Sequence, residues 1–318
     1  VAEQRRTTTR TVGLVERLLV LRSLPALDGF SDREVELIAH HTRERFFPAG
    51  TVLLDESEPV ESIFVVVEGR VELRAGGQLV AVHERGLGIG SVRALGRGQR
   101  GLRAVALADT LTLELTAHAL FDILEDHFGI LTRFMRRFAV DLIAELRRHR
   151  RDRWVPPSPP EDLHGFRGRR LDLVERILFI RRSRAFAESS MDAIAMMAKL
   201  LEQVEFPAGA TIWREGARAD GLLLVVSGTV AVRHARGAAT IRYTPTGILG
   251  GVDVLAERAR WGTATAETAV VGLWAEREVL VDLFEDDFEL AMNFLAMMAR
   301  TLVELRELQH GPRADKQR

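Results

Sequence analysis

Hydrophobic positions along the chain change rhythm part-way, and the whole change happens twice. Leu14, Leu18, Leu19 and Leu21 are spaced for one helical face. Ser31 with Glu34 reads as a capping box opening a second helix through about Arg45. After Phe47-Pro48-Ala49-Gly50 the helical period stops. Residues 51–54, 63–67, 71–73 and 79–82 are short, β-branched and broken by glycine or charge, which predicts strands. Glu68-Gly69 stands where a tight hairpin needs a residue with positive φ. Two further strands are predicted over 104–116, then a short helix over 119–126. A long helix follows from Phe128 to about Arg150, with Ile130, Leu131, Phe134, Phe138, Leu142, Ile143 and Leu146 at helical spacing.

The second pass repeats the first. Residues 14–50 align without a gap on 173–209, an offset of 159 residues. Leu-Val-Glu-Arg at 14–17 returns at 173–176, and Phe-Pro-Ala-Gly at 47–50 returns at 206–209. The match runs to Arg74 against Arg233 and resumes after a one-residue slip, residues 121–128 answering 281–288. The second copy thus predicts helices over 173–180 and 190–204, a hairpin at Ser227-Gly228, strands over 263–274, and helices over 278–286 and 288–308. Two copies of a domain account for this period better than a solenoid. Many short strands at even spacing indicate a sandwich or barrel. Between the copies an arginine run leads into Pro156–Pro160 (PPSPP), a semi-stiff spacer. The expected division is domain one over 1–150, a basic, proline-rich linker over 151–170, and domain two over 171–318.

One stretch in each copy carries candidate chemistry: GLGIGSVRALGRGQRGLRAVA at 86–106 and TGILGGVDVLAERARWGTATA at 246–266. Each has a glycine pair, a short apolar-containing segment and an arginine, Arg100 or Arg260. Glycines let a backbone approach a ligand closely. A helix starting just after them points free N–H groups outward, which suits an anion. An arginine folding back could grip a phosphate in bidentate fashion.

These stretches resemble the phosphate-binding cassette of the cyclic nucleotide-binding domain family. The family's Phe-Gly-Glu-Leu-Ala-Leu core puts its glycine on Gly90 and Gly250, and its phosphate-clamping arginine on Arg100 and Arg260. The family glutamate, which grips the ribose 2′-hydroxyl, falls on Ser91 and Gly251, so both copies lack it. The resemblance implies a mainly β fold with flanking helices (α+β): two tandem double-stranded β-helix, or jelly-roll, domains. Each would have N-terminal helices and a long C-terminal helix. The implied ligand contacts are Gly90, Ser91, Val92, Arg93, Arg97, Arg100 and Gly101 in copy one, and Gly250, Gly251, Val252, Arg260 and Trp261 in copy two. Copy one is all basic around the cassette (Arg93, Arg97, Arg100, Arg103), whereas copy two has Asp253 in the turn and Trp261 after the clamp. Copy one is therefore the expected live site and copy two a structural pseudo-domain. Arg93-Ala-Leu-Gly-Arg97 also has the arginine spacing of some cyclic di-GMP receptors, so cAMP, cGMP and c-di-GMP are all expected candidates.

Composition narrows the function classes. There is no cysteine, which removes disulfides, thiolate metal sites and a cysteine nucleophile. The net charge of −1 gives no global pull toward nucleic acid or an anionic membrane. No apolar run approaches the ~20 residues of a membrane span, and the first residues lack a signal-peptide core; a cytoplasmic setting is expected. His40 and His41 are adjacent on a helix and diverge, so no metal is expected. No HExxH, GxSxG or Walker pattern occurs, so no catalytic residue is expected. Arg5-Arg6-Thr7-Thr8 matches a short kinase-site pattern, which chance explains in an arginine-rich chain. Residues 311–318 leave no room for the helix-turn-helix of DNA-binding relatives. The expected function is thus a non-enzymatic sensor, binding a cyclic nucleotide mainly in domain one and signalling through protein contacts. The alternative is a ligand-independent scaffold. A homodimer is expected, its seam near Phe138 and Leu142.

Overall fold

The computed structural model describes residues 11–148, 169–235 and 240–310. Arg5–Thr8, most of the expected spacer and residues 311–318 lie outside the described residues. The first copy opens with α1 (Leu14–Arg22), a 3₁₀ turn (Pro25–Leu27) and α2 (Asp32–His40). Strands β1 (Arg43–Phe47), β2 (Val52–Leu54), β3 (Ser62–Glu68), β4 (Val71–Ala75), β5 (Gln78–His83) and β6 (Gly88–Ile89) follow. The cassette helix α3 (Ser91–Leu95), β7 (Arg103–Ala106), β8 (Thr110–Thr116), α4 (Ala117–Asp126) and α5 (Phe128–Arg148) complete it. The second copy repeats the series: α6 (Leu173–Arg182), α7 (Met191–Leu200), β9 (Glu202–Phe206), β10 (Thr211–Trp213), β11 (Gly221–Ser227), β12 (Val230–Arg233), β13 (Thr240–Tyr243) and β14 (Ile248–Leu249). It ends with α8 (Gly251–Leu255), β15 (Thr263–Ala266), β16 (Val270–Glu276), α9 (Arg277–Asp286) and α10 (Phe288–His310).

Each copy folds into two four-stranded antiparallel sheets. Their orders are β1-β8-β3-β6 with β2-β7-β4-β5, and β9-β16-β11-β14 with β10-β15-β12-β13. The second pair is the first, strand for strand. Even the irregularities recur: β3 breaks register against β8 between Val66 and Glu68, and β11 against β16 between Val225 and Ser227. Gly69 (φ 98°) and Gly228 (φ 87°) make the expected positive-φ turns. Alternation along the strands puts Val65, Leu73 and Leu113 in one interior, and Leu224, Val232 and Leu273 in the other.

The helical pattern overran in one place. A helix was expected through Arg45 and through Val204, but α2 stops at His40 and α7 at Leu200, and the next residues are strands. Tertiary pairing decides this. Arg43 lies opposite Glu114 of β8, and Glu114, only 6% exposed, accepts hydrogen bonds from Arg43 Nε and Ser62 Oγ, each at 2.8 Å. A buried carboxylate needs such partners. The Ser31–Glu34 capping box forms as expected, Glu34 accepting from the Ser31 N–H at 2.6 Å.

The chain divides into two compact units between Arg133 and Phe134, a boundary inside α5. The second half of α5 belongs to the second unit. There Arg136 Nη1 lies 2.8 Å from Glu257 Oε2, and Arg306 Nε of α10 lies 3.8 Å from Glu145 Oε1. The homodimer expectation rested on a bare apolar remainder along this helix. Ile130, Phe134, Phe138 and Leu142 are each at most 8% exposed within the single chain, so no second chain is needed to cover them.

Candidate functional site

Both cassettes are built on a left-handed glycine. Gly90 has φ 90° and Gly250 φ 85°, and each caps the N-terminus of its short helix, α3 or α8. Only glycine adopts this conformation without strain, and neighbours close the space as well. A Cβ on Gly90 would lie 3.0 Å from the Ser62 carbonyl oxygen; one on Gly250 would lie 2.5 Å from Arg260 Nη1. Ser91 and Val92, half-buried, open α3, where Gly251 and Val252 open α8.

The two clamp arginines then part company. In copy one, Arg100 is exposed and donates one hydrogen bond, from Nη1 to the Ser57 carbonyl at 3.0 Å. Among the described residues it has no carboxylate partner. The Asp55–Val60 loop is tied to the same stretch by Gly101 N–H to Glu56 O (2.8 Å) and Val60 N–H to Gln99 O (3.0 Å). Arg93 turns inward instead, 9% exposed, and donates to the Arg100 carbonyl. Arg97 lies with its guanidinium 5.7 Å from the Phe121 ring centroid, and Arg103 Nη1 lies 3.5 Å from Asp55 Oδ2. Arg93, Arg100 and Gly101 thus come together, whereas Arg93 and Arg97 are engaged in different directions.

In copy two, Arg260 is 1% exposed and caged by its own protein. Nη2 donates to Asp220 Oδ1 at 2.9 Å and to the Gly221 carbonyl at 2.8 Å, and Nη1 to the Gly250 carbonyl at 3.3 Å. The guanidinium stacks on Trp213, 4.1 Å from the ring centroid, with Trp274 at 5.9 Å. Asp253, 1% exposed, accepts from the Trp261 N–H at 3.2 Å, and its Oδ2 lies 3.9 Å from Arg260 Nη1. Burial pushes the Asp253 carboxyl up to about 7, against the opposing pull of Arg260. Trp261 is buried. Packing is tight where the glutamate is missing: a Cβ on Gly251 would lie 3.1 Å from the Phe294 ring and 3.4 Å from Leu222.

Asp220, Trp213 and Trp274 are the residues that the motif did not reveal. Their signal lay in the repeat itself, since Trp213 stands where the first copy has Leu54, and Trp274 where it has Glu114. His40 and His41 are exposed, and among the described residues no cluster of His, Asp and Glu could hold a metal ion.

The sequence model of the cyclic nucleotide-binding domain matches residues 44–127 and 203–287, together just over half of the chain. The chain belongs to the cyclic nucleotide-binding domain family. It is a tandem of two such domains, each match spanning the strands and cassette of one copy. A CRP-like cAMP-activated global transcriptional regulator of Mycobacterium tuberculosis is 31% identical over 114 residues, 35% of this chain and 51% of that protein. An uncharacterised NTE family protein of Mycobacterium bovis is 30% identical over 106 residues, 33% of this chain and 18% of that protein. The chain thus spans about half the length of the first of these relatives and less of the second. Among solved structures, the regulatory domain of Toxoplasma gondii PKA with cAMP has a TM-score of 0.35 at 16% identity, over 90% of this chain and 96% of that one. The N-terminal domain of a Streptomyces coelicolor A3(2) transcriptional regulator has a TM-score of 0.36 at 23% identity, over 42% and 96%. Among the described residues no helix is long and apolar enough to cross a membrane.

Proposed function

We propose that this chain is a non-enzymatic regulatory module in which only the first domain answers a nucleotide. The observation that carries the reading is the contrast between the clamp arginines: Arg100 is exposed beside its cassette with a single carbonyl partner, and Arg260 is caged. An exposed guanidinium without a carboxylate partner is available to a phosphate; one already holding a carboxylate, two carbonyls and a ring is not. The ligand class is a cyclic mononucleotide, cAMP or cGMP, or a cyclic dinucleotide such as c-di-GMP. Output passes through protein contacts in a cytoplasmic setting.

Self-occupation of the second domain also favours a second reading, a ligand-independent scaffold. Titration calorimetry with cAMP, cGMP and c-di-GMP separates the two. The regulatory reading expects saturable binding of one of them, lost in Arg100→Ala without loss of fold. Absence of binding by all three supports the scaffold, and binding unchanged by Arg100→Ala overturns the assignment of the clamp.

A further inference from the structure

We propose that the second unit carries a site for a small uncharged ring compound, set between the second half of α5, α10 and the backbone of the second cassette. It is independent of the nucleotide reading of the first domain. A cavity of about 90 Å³ lies there, walled by Leu142 and Leu146 of α5, Phe294, Met297 and Thr301 of α10, and the Gly250–Val252 backbone.

Two further observations converge on it. Tyr243 lines the cavity, is 7% exposed, and has no hydrogen-bond partner among the described residues. Its hydroxyl oxygen is accessible rather than sealed in the core, so it is free to meet a guest. Burial raises this phenol above its usual range, so it remains protonated and able to donate. The second observation is Thr246, another lining residue, which holds φ 72°. Its counterpart in the first copy is Gly86, φ 76°, which adopts the same backbone freely. A β-branched residue there is strained, and strain of this kind collects at ligand sites. Thr246 is held from both sides, its N–H donating to Val225 O at 2.8 Å and its carbonyl accepting from Ser183 Oγ at 3.1 Å.

The lining excludes a phosphate. Its only charged side chains, Arg184 and Glu304, neutralise each other at 2.7 Å and, being partly exposed, mark the mouth. An anion entering there would meet a carboxylate and no uncommitted cation. Apolar walls with a few polar groups are the usual form of a small-molecule site. An apolar cavity of about 150 Å³ encloses benzene, so this smaller, open-mouthed one admits a single ring with part of the molecule protruding. Because α5 supplies one wall, a bound ring would also brace that helix against the cassette.

The test uses the full chain with indole, phenol and adenosine as uncharged probes and AMP as the phosphate-bearing counterpart, read by thermal shift and saturation-transfer NMR. At least one uncharged probe is expected to bind saturably, about tenfold more weakly in Tyr243→Phe, hardly at all in Thr301→Phe, and unchanged in Arg100→Ala. Preference for adenosine identifies a nucleoside, and preference for indole or phenol a simple aromatic. No binding by any uncharged probe, stronger binding of AMP than of adenosine, or binding indifferent to both Tyr243→Phe and Thr301→Phe overturns the proposal. Should Thr301→Phe fail to fold, the volume-conserving Tyr243→Phe still decides it.

Discussion

Arg260 is buried because its own protein supplies its partners. Its guanidinium satisfies Asp220 and two backbone carbonyls and lies beside the buried Asp253. Replacing it by methionine keeps much of the volume but leaves the buried Gly221 and Gly250 carbonyls without this donor, and a buried acceptor left unsatisfied costs about 1–3 kcal/mol. Arg100→Met, at an exposed position, is expected within about 0.5 kcal/mol of wild type; urea unfolding of the two variants checks the contrast. Asp253 adds a pH signature. Its carboxyl stands at about 7 in the folded protein against an ordinary 3.8. Between those values the folded state holds a proton that the unfolded chain has released. This residue's contribution is therefore full below about pH 4, declines as pH rises, and is lost above about 7. Asp253→Asn removes that slope. In denaturant unfolding at pH 5 and pH 7.5, the wild type is expected to lose stability relative to the variant at the higher pH, and a constant difference would show that Asp253 is not protonated in the fold. The glutamate positions divide in the same way. Gly251→Glu meets Phe294 and is expected to destabilise by at least 1–3 kcal/mol. Ser91→Glu, half-buried, should fold and tighten a mononucleotide by about one to two decades by supplying a ribose contact. Calorimetry showing no gain would mean that the ligand presents no free 2′-hydroxyl there.

At the scale of elements, periodicity told most about segments whose neighbours are local. The capping box at Ser31, the glycine turns and the long helices were readable because their causes lie within a few residues. The end of α2 was not, since residues 43–47 become a strand only through pairing with β8, whose Glu114 is 71 residues from Arg43. The cassettes were legible for the same reason as the turns: a left-handed glycine followed by a helix start is a local feature. The fate of each arginine was not local, because Asp220 is 40 residues from Arg260. What could have been read is the replacement of Leu54 and Glu114 by Trp213 and Trp274, two half-buried indoles that give Arg260 a face to stack on. Helix α5 illustrates the limit most clearly. Its apolar stripe pointed to a partner, and the single chain already buries it. Leu142→Glu would then bury an unpaired charge within the second unit. A cooperative loss of stability in thermal unfolding is expected, whereas a stable variant of halved mass by light scattering would restore the dimer seam.

Across the whole molecule, the two copies keep one topology, strand order and pair of bulges while their cassettes have diverged. The frame is set by many distributed apolar positions, each tolerant of exchange, and the site by a handful that are not. A repeat can therefore retain its fold while its cassette arginine takes internal partners, as Arg260 does with Asp220 and Trp213. The central claim is this asymmetry, and stoichiometry tests it most directly. Calorimetric titration of the full chain with whichever cyclic nucleotide binds should give one molecule per chain, absent in Arg100→Ala and retained in Asp220→Ala; two molecules per chain, or one that survives Arg100→Ala, would contradict it.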